Sequence, residues 1–355
     1  MRRRPLLAAG VVLALAACGA GGRPGLQTLA ARRGLVWGSA LGDDGLAQPD
    51  LLSLLRNNAG AITPENALKW DATEPEPGRF DFSRADRALA FASRHGLQLR
   101  GHALVWHRQL PPWLQRLPAA ELRQALERHI RTVASHGRGR IQSWDVVNES
   151  LDEEGNGLRR SVWLTTLGPG YIADALRWAR QADPHARLVI NDYGLEGDDP
   201  QTARKRQAML DLIDALQRQK APLDAIGLQG HLVAPRDGTP RFRTLPAFLE
   251  QLRRRGLTVE ITELDVSDRE LPADIGLRDS RVADTYDAFL AAVLAEPALK
   301  QITSWGLSDR STWLNDAFPR SDGLPQRPLP YDAALQPKAA RRSVAARLQQ
   351  PGPRR

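Results

Sequence analysis

The chain has 355 residues, 42% hydrophobic and 25% charged, which excludes a disordered polymer and leaves length for one large core or two small ones. Its formal charge of +8 does not argue for nucleic acid. The first 23 and last 19 residues hold ten basic and no acidic side chains, and the remainder stands at −2, with no zinc-finger, RNA-binding or basic-helix signature. Cys18 is the one cysteine, which excludes an internal disulfide and a cysteine-based metal cluster.

In chain order, Arg2, Arg3 and Arg4 precede an apolar run from Leu6 to Ala17. The run is too short for a membrane span and reads as a signal segment. It ends Leu15-Ala16-Ala17-Cys18, which resembles the bacterial lipoprotein box, whose cysteine is acylated and becomes the mature N-terminus. Residues 1–18 are therefore expected to be removed up to Cys18. A lipid anchor would be the only membrane attachment, on an exported cell-envelope protein at the outer membrane or cell surface; the other outcome is a secreted or periplasmic protein. Residues 19–30, with Gly21 to Gly25, read as a tether.

From Leu35 short apolar runs alternate with amphipathic segments. Strands are predicted at 35–39, 60–63, 97–105, 141–148, 187–192, 224–229, 257–264 and 301–306. Helices are predicted at Glu121 to His136, Tyr171 to Gln181, Ala203 to Gln219 and Arg281 to Ala295. Leu122, Leu126, His129, Ile130 and Val133 mark one buried helix face. Strand and helix in alternation imply a parallel sheet, and eight units favour a closed (β/α)8 TIM barrel as a single catalytic domain over residues 31–340. No glycine-rich phosphate loop follows the first strand, so no dinucleotide cofactor is expected. The basic tail, residues 341–355, reads as a frayed, solvated end.

In such barrels chemistry gathers at the carboxyl ends of the strands. Seven of the eight predicted ends carry unusual polar or aromatic residues: Glu65 and Asn66, His102, Asn148 and Glu149, Asn191 to Tyr193, Gln229 and His231, Glu263 and Asp265, and Trp305. Glu149 and Glu263 each close a strand-like run, and a pair of carboxyl groups flanking one bond is what glycoside hydrolysis needs. Strand alternation puts Val259, Ile261, Glu263 and Asp265 on one side and Glu260 and Thr262 on the other. It likewise groups Asp145, Val147 and Glu149. Asp145 lies deeper and is expected to serve as a structural hydrogen-bonding group.

His231 is placed to keep Glu263 ionised, with Asp265 orienting the imidazole. The seven histidines show no HExxH and no paired metal-ligand spacing, so no metal site is expected. Trp305, Trp313 and Trp106 are candidates for stacking on a sugar face, whereas Trp37, Trp144, Trp163 and Trp178 read as packing. Lys69, near Glu65, Asn66 and His102 in the predicted fold, suits hydroxyl binding. No G-x-S-x-G turn exists to support serine-based acyl chemistry.

Taken together, several segments resemble family 10 glycoside hydrolases, the endo-β-1,4-xylanases. These are Thr63 to Trp70, His102 to Pro111, Trp144 to Glu149, Asn191-Asp192-Tyr193, Gly227 to His231, Ile261 to Asp265, Trp305 to Asp309, and Trp313. The resemblance runs from about residue 35 to 340, in the family's order. It implies a (β/α)8 barrel and retention of anomeric configuration, with Glu149 as acid/base and Glu263 as nucleophile. It further implies that Asn148 holds the sugar 2-hydroxyl and that Glu65, Asn66 and Lys69 bind glycone hydroxyls. His102, Trp106, Gln229 and Trp305 would line the cleaved sugar's site, and Tyr193 and His231 would support the nucleophile. The expected partner is xylan or a xylo-oligosaccharide, bound by a monomer. Competing readings are another β-1,4-glycanase on the same barrel and a non-catalytic xylan-binding barrel, which would be expected to lose one of the two glutamates.

Overall fold

A computed structural model describes residues 24–238 and 240–351; the signal segment, Cys18 and the last four residues lie outside it. Nine strands occur among the described residues: β1 (Val36–Leu41), β2 (Ala61–Pro64), β3 (Gln98–Gly101), β4 (Ser143–Asn148), β5 (Arg187–Asp192), β6 (Ala225–Leu228), β7 (His231–Val233), β8 (Thr258–Ser267) and β9 (Leu299–Ser304). Neighbouring strands pair in parallel from β6 down to β1, then β9 and β8, and β6 also pairs with β8. This closes an eight-stranded barrel. β7 adds a short ninth strand against the far half of β8, with His231 opposite Asp265.

Each barrel strand is followed by a covering helix. They are Pro49–Asn58, Ser83–His95, Ala119–Gly137, Tyr171–Ala182, Pro200–Arg218, Leu245–Arg254, Ile275–Val293 and Ala339–Gln349. Local chemistry sets several ends. Asp199 caps the Pro200 helix by accepting the Thr202 N–H at 2.9 Å, and Asp274 accepts the Leu277 N–H at 2.7 Å. Gly96, at φ +64°, stops the Ser83–His95 helix in a conformation glycine adopts without a Cβ clash. Leu122, Leu126, His129, Ile130 and Val133 are all buried, as their spacing implies.

The structure corrects both expected chain ends. The basic segment after Pro337 is the eighth covering helix, and Ala340, Arg341, Val344, Ala345 and Leu348 are buried in it. A barrel needs this helix to cover the outer face of β9, so the segment packs although arginines interrupt its apolar stripe. Residues Leu26–Ala31, inside the expected tether, form a helix that buries Leu26, Leu29 and Ala30 under the barrel. Gln27 Oε1 accepts the Trp37 N–H at the start of β1 at 2.7 Å. The two ends also meet, because the Arg341 guanidinium donates to the Pro24 carbonyl.

The barrel interior is polar where the site needs support. Arg100 of β3 reaches Glu260 of β8 at 3.0 Å. These strands are not neighbours, so the contact crosses the interior. Arg100 also pairs with Asp145, and Glu260 receives Arg187 at 2.9 Å and the Ser143 hydroxyl at 3.2 Å. Glu260 thus points inward, not away as simple alternation implied. The register shift at Ile261/Leu264 adds a residue to β8 and breaks its two-residue period, and a shift at Asp145/Val147 does the same in β4. Both strands therefore turn a buried support and a terminal glutamate to the same interior.

Candidate active site

β8 delivers Glu263 to the carboxyl-end mouth as a buried side chain. Its Oε1 accepts from Asn191 Nδ2 at 2.7 Å, and its Oε2 lies 3.2 Å from His231 Nε2. Burial by itself would raise this carboxyl. The His231 hydrogen bond and the fields of His102, His231 and Arg100 outweigh burial and hold the pKa at about 2. His231 in turn lies 2.8 Å from Asp265 Oδ1 through Nδ1. Burial disfavours its charge, but Asp265 and Glu263 prevail and raise it well above the ordinary imidazole range. Trp313 Nε1 fixes the second oxygen of Asp265 at 2.8 Å. The expected chain of command, Asp265 to His231 to Glu263, is present as geometry.

Glu149 follows β4 immediately and adopts φ +56°, uncommon for a residue with a Cβ. The twist lifts its side chain out of the strand's alternation and into the mouth. Two bonds hold it there: its N–H donates to the Asn191 carbonyl at 2.7 Å, and its own carbonyl accepts from Arg159 Nε at 3.0 Å. Its Oε1 receives Gln229 Nε2 at 3.3 Å and Asn148 Nδ2 at 3.4 Å. His107 Nδ1 lies 3.8 Å from Oε2, and burial lowers that imidazole to about 4, so it is neutral near pH 7. A series of hydrogen bonds through Gln229, Asn148 and Asn191 joins Glu149 to Glu263.

On the adjoining side Lys69 donates to Asn66 Oδ1 at 3.0 Å and to Gln109 Oε1 at 2.8 Å, with its Nζ 4.8 Å above the Trp106 ring. Burial lowers the Lys69 ammonium and raises the Glu65 carboxyl. His102 is buried with Nδ1 2.8 Å from Asp145 Oδ2, and its ring stands 5.3 Å edge-on from Trp305. Glu65, Asn66, Trp305 and Trp313 line a cavity of about 900 Å³ that extends over the Asp43–Gln48 segment. The donor atoms of His102, Asp145 and Glu263 lie within 4.8 Å of one another. The Arg100 guanidinium already occupies Asp145, which makes a poor cation site.

The structure brings all the sequence-derived candidates near the mouth except Cys18, which is outside the described residues. One lands differently than expected. The Tyr193 hydroxyl accepts from Arg159 at 2.7 Å and donates to Glu153 at 3.0 Å, on the Glu149 side, with no hydrogen bond to Glu263. Asn191, Arg100, His107, Gln109 and Arg159 join the site although sequence reasoning gave them no site role. Asn191, His107 and Gln109 stood inside motifs already noted, which was a usable signal. Arg159 sits in a loop ten residues past Glu149, and nothing local marks it.

The comparisons agree with this geometry. The pattern of glycosyl hydrolase family 10 matches residues 25–347. Endo-1,4-beta-xylanase B of Thermotoga neapolitana is 35% identical over 300 residues, covering 82% of this chain and 84% of that protein. An endo-1,4-beta-xylanase of Agaricus bisporus is 36% identical over 324 residues, covering 90% and 93%. Among solved structures, native xylanase 10B of Thermotoga maritima superposes with a TM-score of 0.85 at 33% identity, covering 92% of this chain and 98% of that one. Xylanase 10B of Thermotoga petrophila RKU-1, solved in complex with xylobiose, gives 0.85 at 32% identity, covering 93% and 99%. The matched region takes in every barrel strand and both strand-end glutamates, and the chain belongs to glycosyl hydrolase family 10.

Proposed function

We propose that this protein is an endo-1,4-β-xylanase that cleaves internal β-1,4-xylosidic bonds with retention at the anomeric carbon. The observation that carries the reading is the unequal treatment of the two glutamates. Glu263 is buried yet held at about 2 by His231 and its neighbours. Glu149 stands at the rim of the same mouth with amide donors on one oxygen. A buried carboxylate kept charged, with a second carboxyl at the same mouth, is the arrangement double displacement requires.

Glu263 attacks the anomeric carbon while Glu149 gives its proton to the leaving glycosidic oxygen. A xylosyl ester forms on Glu263. Glu149, now a carboxylate, takes a proton from water, the resulting hydroxide displaces Glu263, and the sugar leaves as the hemiacetal. Asn148 and Gln229 lie between the two acids, placed for the 2-hydroxyl and its neighbours. The xylobiose complex of the Thermotoga petrophila relative supports a xylo-oligosaccharide as the ligand. Trp305 and Trp313 wall the mouth where glucose would project its hydroxymethyl group, a discrimination of about 1–3 kcal/mol in such pockets.

Proton NMR of the first anomer released from a xylo-oligosaccharide tests the scheme, and an inverted first product would refute it. Glu263→Ala should abolish turnover while leaving xylan binding in place. Release assays on xylan, β-glucan and mannan separate xylanase from another β-1,4-glycanase. Export as a lipoprotein anchored through Cys18 is part of the same proposal. It predicts palmitate incorporation that Cys18→Ser removes, and an unlabelled wild-type chain would sink it.

A further inference from the structure

A second candidate binding feature lies outside the mouth. The helices Pro49–Asn58 and Ser83–His95 follow β1 and β2 on the outer surface, and a groove of about 480 Å³ runs between them. Leu46, Leu52 and Phe91 supply apolar lining, while Arg56, Arg87 and Arg94 carry charge. Arg87, Phe91 and Arg94 stand at i, i+4 and i+7 of one helix and so share its face. No acidic side chain lines the groove. Nearby arginines are paired: Arg84 with Asp43, Arg79 with Glu76, Arg128 with Glu74. Asp86, on the same helix, is taken by His136 at 2.7 Å. The three exposed groove arginines have no such partner among the described residues, so their fields add and draw an anion towards the groove.

Its position says which anion. The Asp43–Gln48 segment is a shared wall. Asp43, Asp44, Gly45 and Gln48 face the cavity beside Glu65 and Asn66, while Leu46 and Pro49 face the groove. A polysaccharide that extended past Glu65 and Asn66 over this wall would meet the groove.

We propose that the groove is a remote binding site for uronate-substituted xylan. It rests on the xylanase reading and extends it to an acidic class of substrate. Arg56, Arg87 and Arg94 receive the uronate carboxylate, for which the planar guanidinium offers paired donors. Leu52 and Phe91 meet the apolar face of a sugar ring.

The test compares the full chain with the triple variant Arg56→Gln/Arg87→Gln/Arg94→Gln, both in a Glu263→Ala background so that the polymer survives. Mobility is measured in gels holding glucuronoxylan, or the same polymer after its carboxyl groups are reduced to alcohols. The unsubstituted groove should bind the acidic polymer about fivefold more tightly than the reduced one, as expected of a solvent-exposed ion pair. The triple variant should lose that preference, as should about 0.5 M salt, where screening is strong. With Glu263 restored, both forms should hydrolyse neutral xylohexaose at the same rate. The proposal is overturned if the triple variant keeps the preference, or if the unsubstituted groove shows none. It is also overturned if the substitutions weaken binding only to phosphatidylglycerol vesicles, which would make the groove a lipid contact. Failure to cleave xylohexaose would instead sink the xylanase reading, because gel retardation does not depend on turnover.

Discussion

One side chain decides how the charge of Glu263 is kept and another how Glu149 is held, and each can be removed without touching either glutamate. In His231→Asn the hydrogen bond and positive charge vanish while burial, which raises the carboxyl, remains. The acid limb of kcat/KM should then move up by at least about one pH unit from a wild-type limb set by a group near 2. An unmoved limb would mean that His231 does not hold the charge. Arg159 acts on the other glutamate through its backbone. Arg159→Met removes the donor to the Glu149 carbonyl and frees the left-handed turn, so kcat should fall about tenfold with KM little changed, consistent with loose positioning of a proton donor. A rise in KM alone would place Arg159 in substrate binding instead. The two glutamates were legible in the sequence because each closes an apolar run. Arg159 was not, because its contact arises from a loop folding back, which no periodicity records. Tyr193, expected from the resemblance to support the nucleophile, bonds Arg159 and Glu153 on the Glu149 side, and its neighbours in the chain do not say which side of the strand end its ring will take.

At the level of elements, the strands were legible and their phase was not. All eight barrel strands lie at or within a few residues of the expected runs, since short apolar runs alternating with amphipathic segments leave little choice of class. Alternation then misplaced Glu260, because a bulge adds a residue on one strand without any mark in composition. That bulge has an energetic partner in Arg100, which ties β3 to β4 and across the interior to β8. Arg100→Met would leave buried Asp145 with His102 and buried Glu260 with Arg187 and Ser143, without the guanidinium that joins them. Unfolding by denaturant should show a loss of about 3–5 kcal/mol, the usual result of breaking a buried pair from one side. A change below about 1 kcal/mol would mean that the two carboxyls find other partners or protons.

The whole molecule is closed by its last segment. Lys338 stands at the start of the eighth helix and donates to Asp309 Oδ2 at 2.8 Å and to the Arg327 carbonyl at 2.6 Å. Burial pushes Asp309 up to about 6 even with Lys338 beside it. Removing the ammonium in Lys338→Met raises that carboxyl further. The loss of stability should therefore be larger at pH 8, where the folded state must bury an unpaired charge, than at pH 5, where Asp309 takes up a proton. Thermal melts at the two pH values check the sign, and equal losses would rule the charge out as the cause. That a segment rich in arginine would pack at all was not legible, because its apolar stripe is narrow and the need for an eighth cover exists only once the barrel is closed. The handshake between Arg341 and Pro24 has a practical sequel. It ties the helix that precedes β1 to the helix that follows β9, so the first and last described elements brace each other. Arg341→Met should therefore loosen the Leu26–Ala31 helix and the eighth helix together, while the strand ends that carry the two glutamates stay in place.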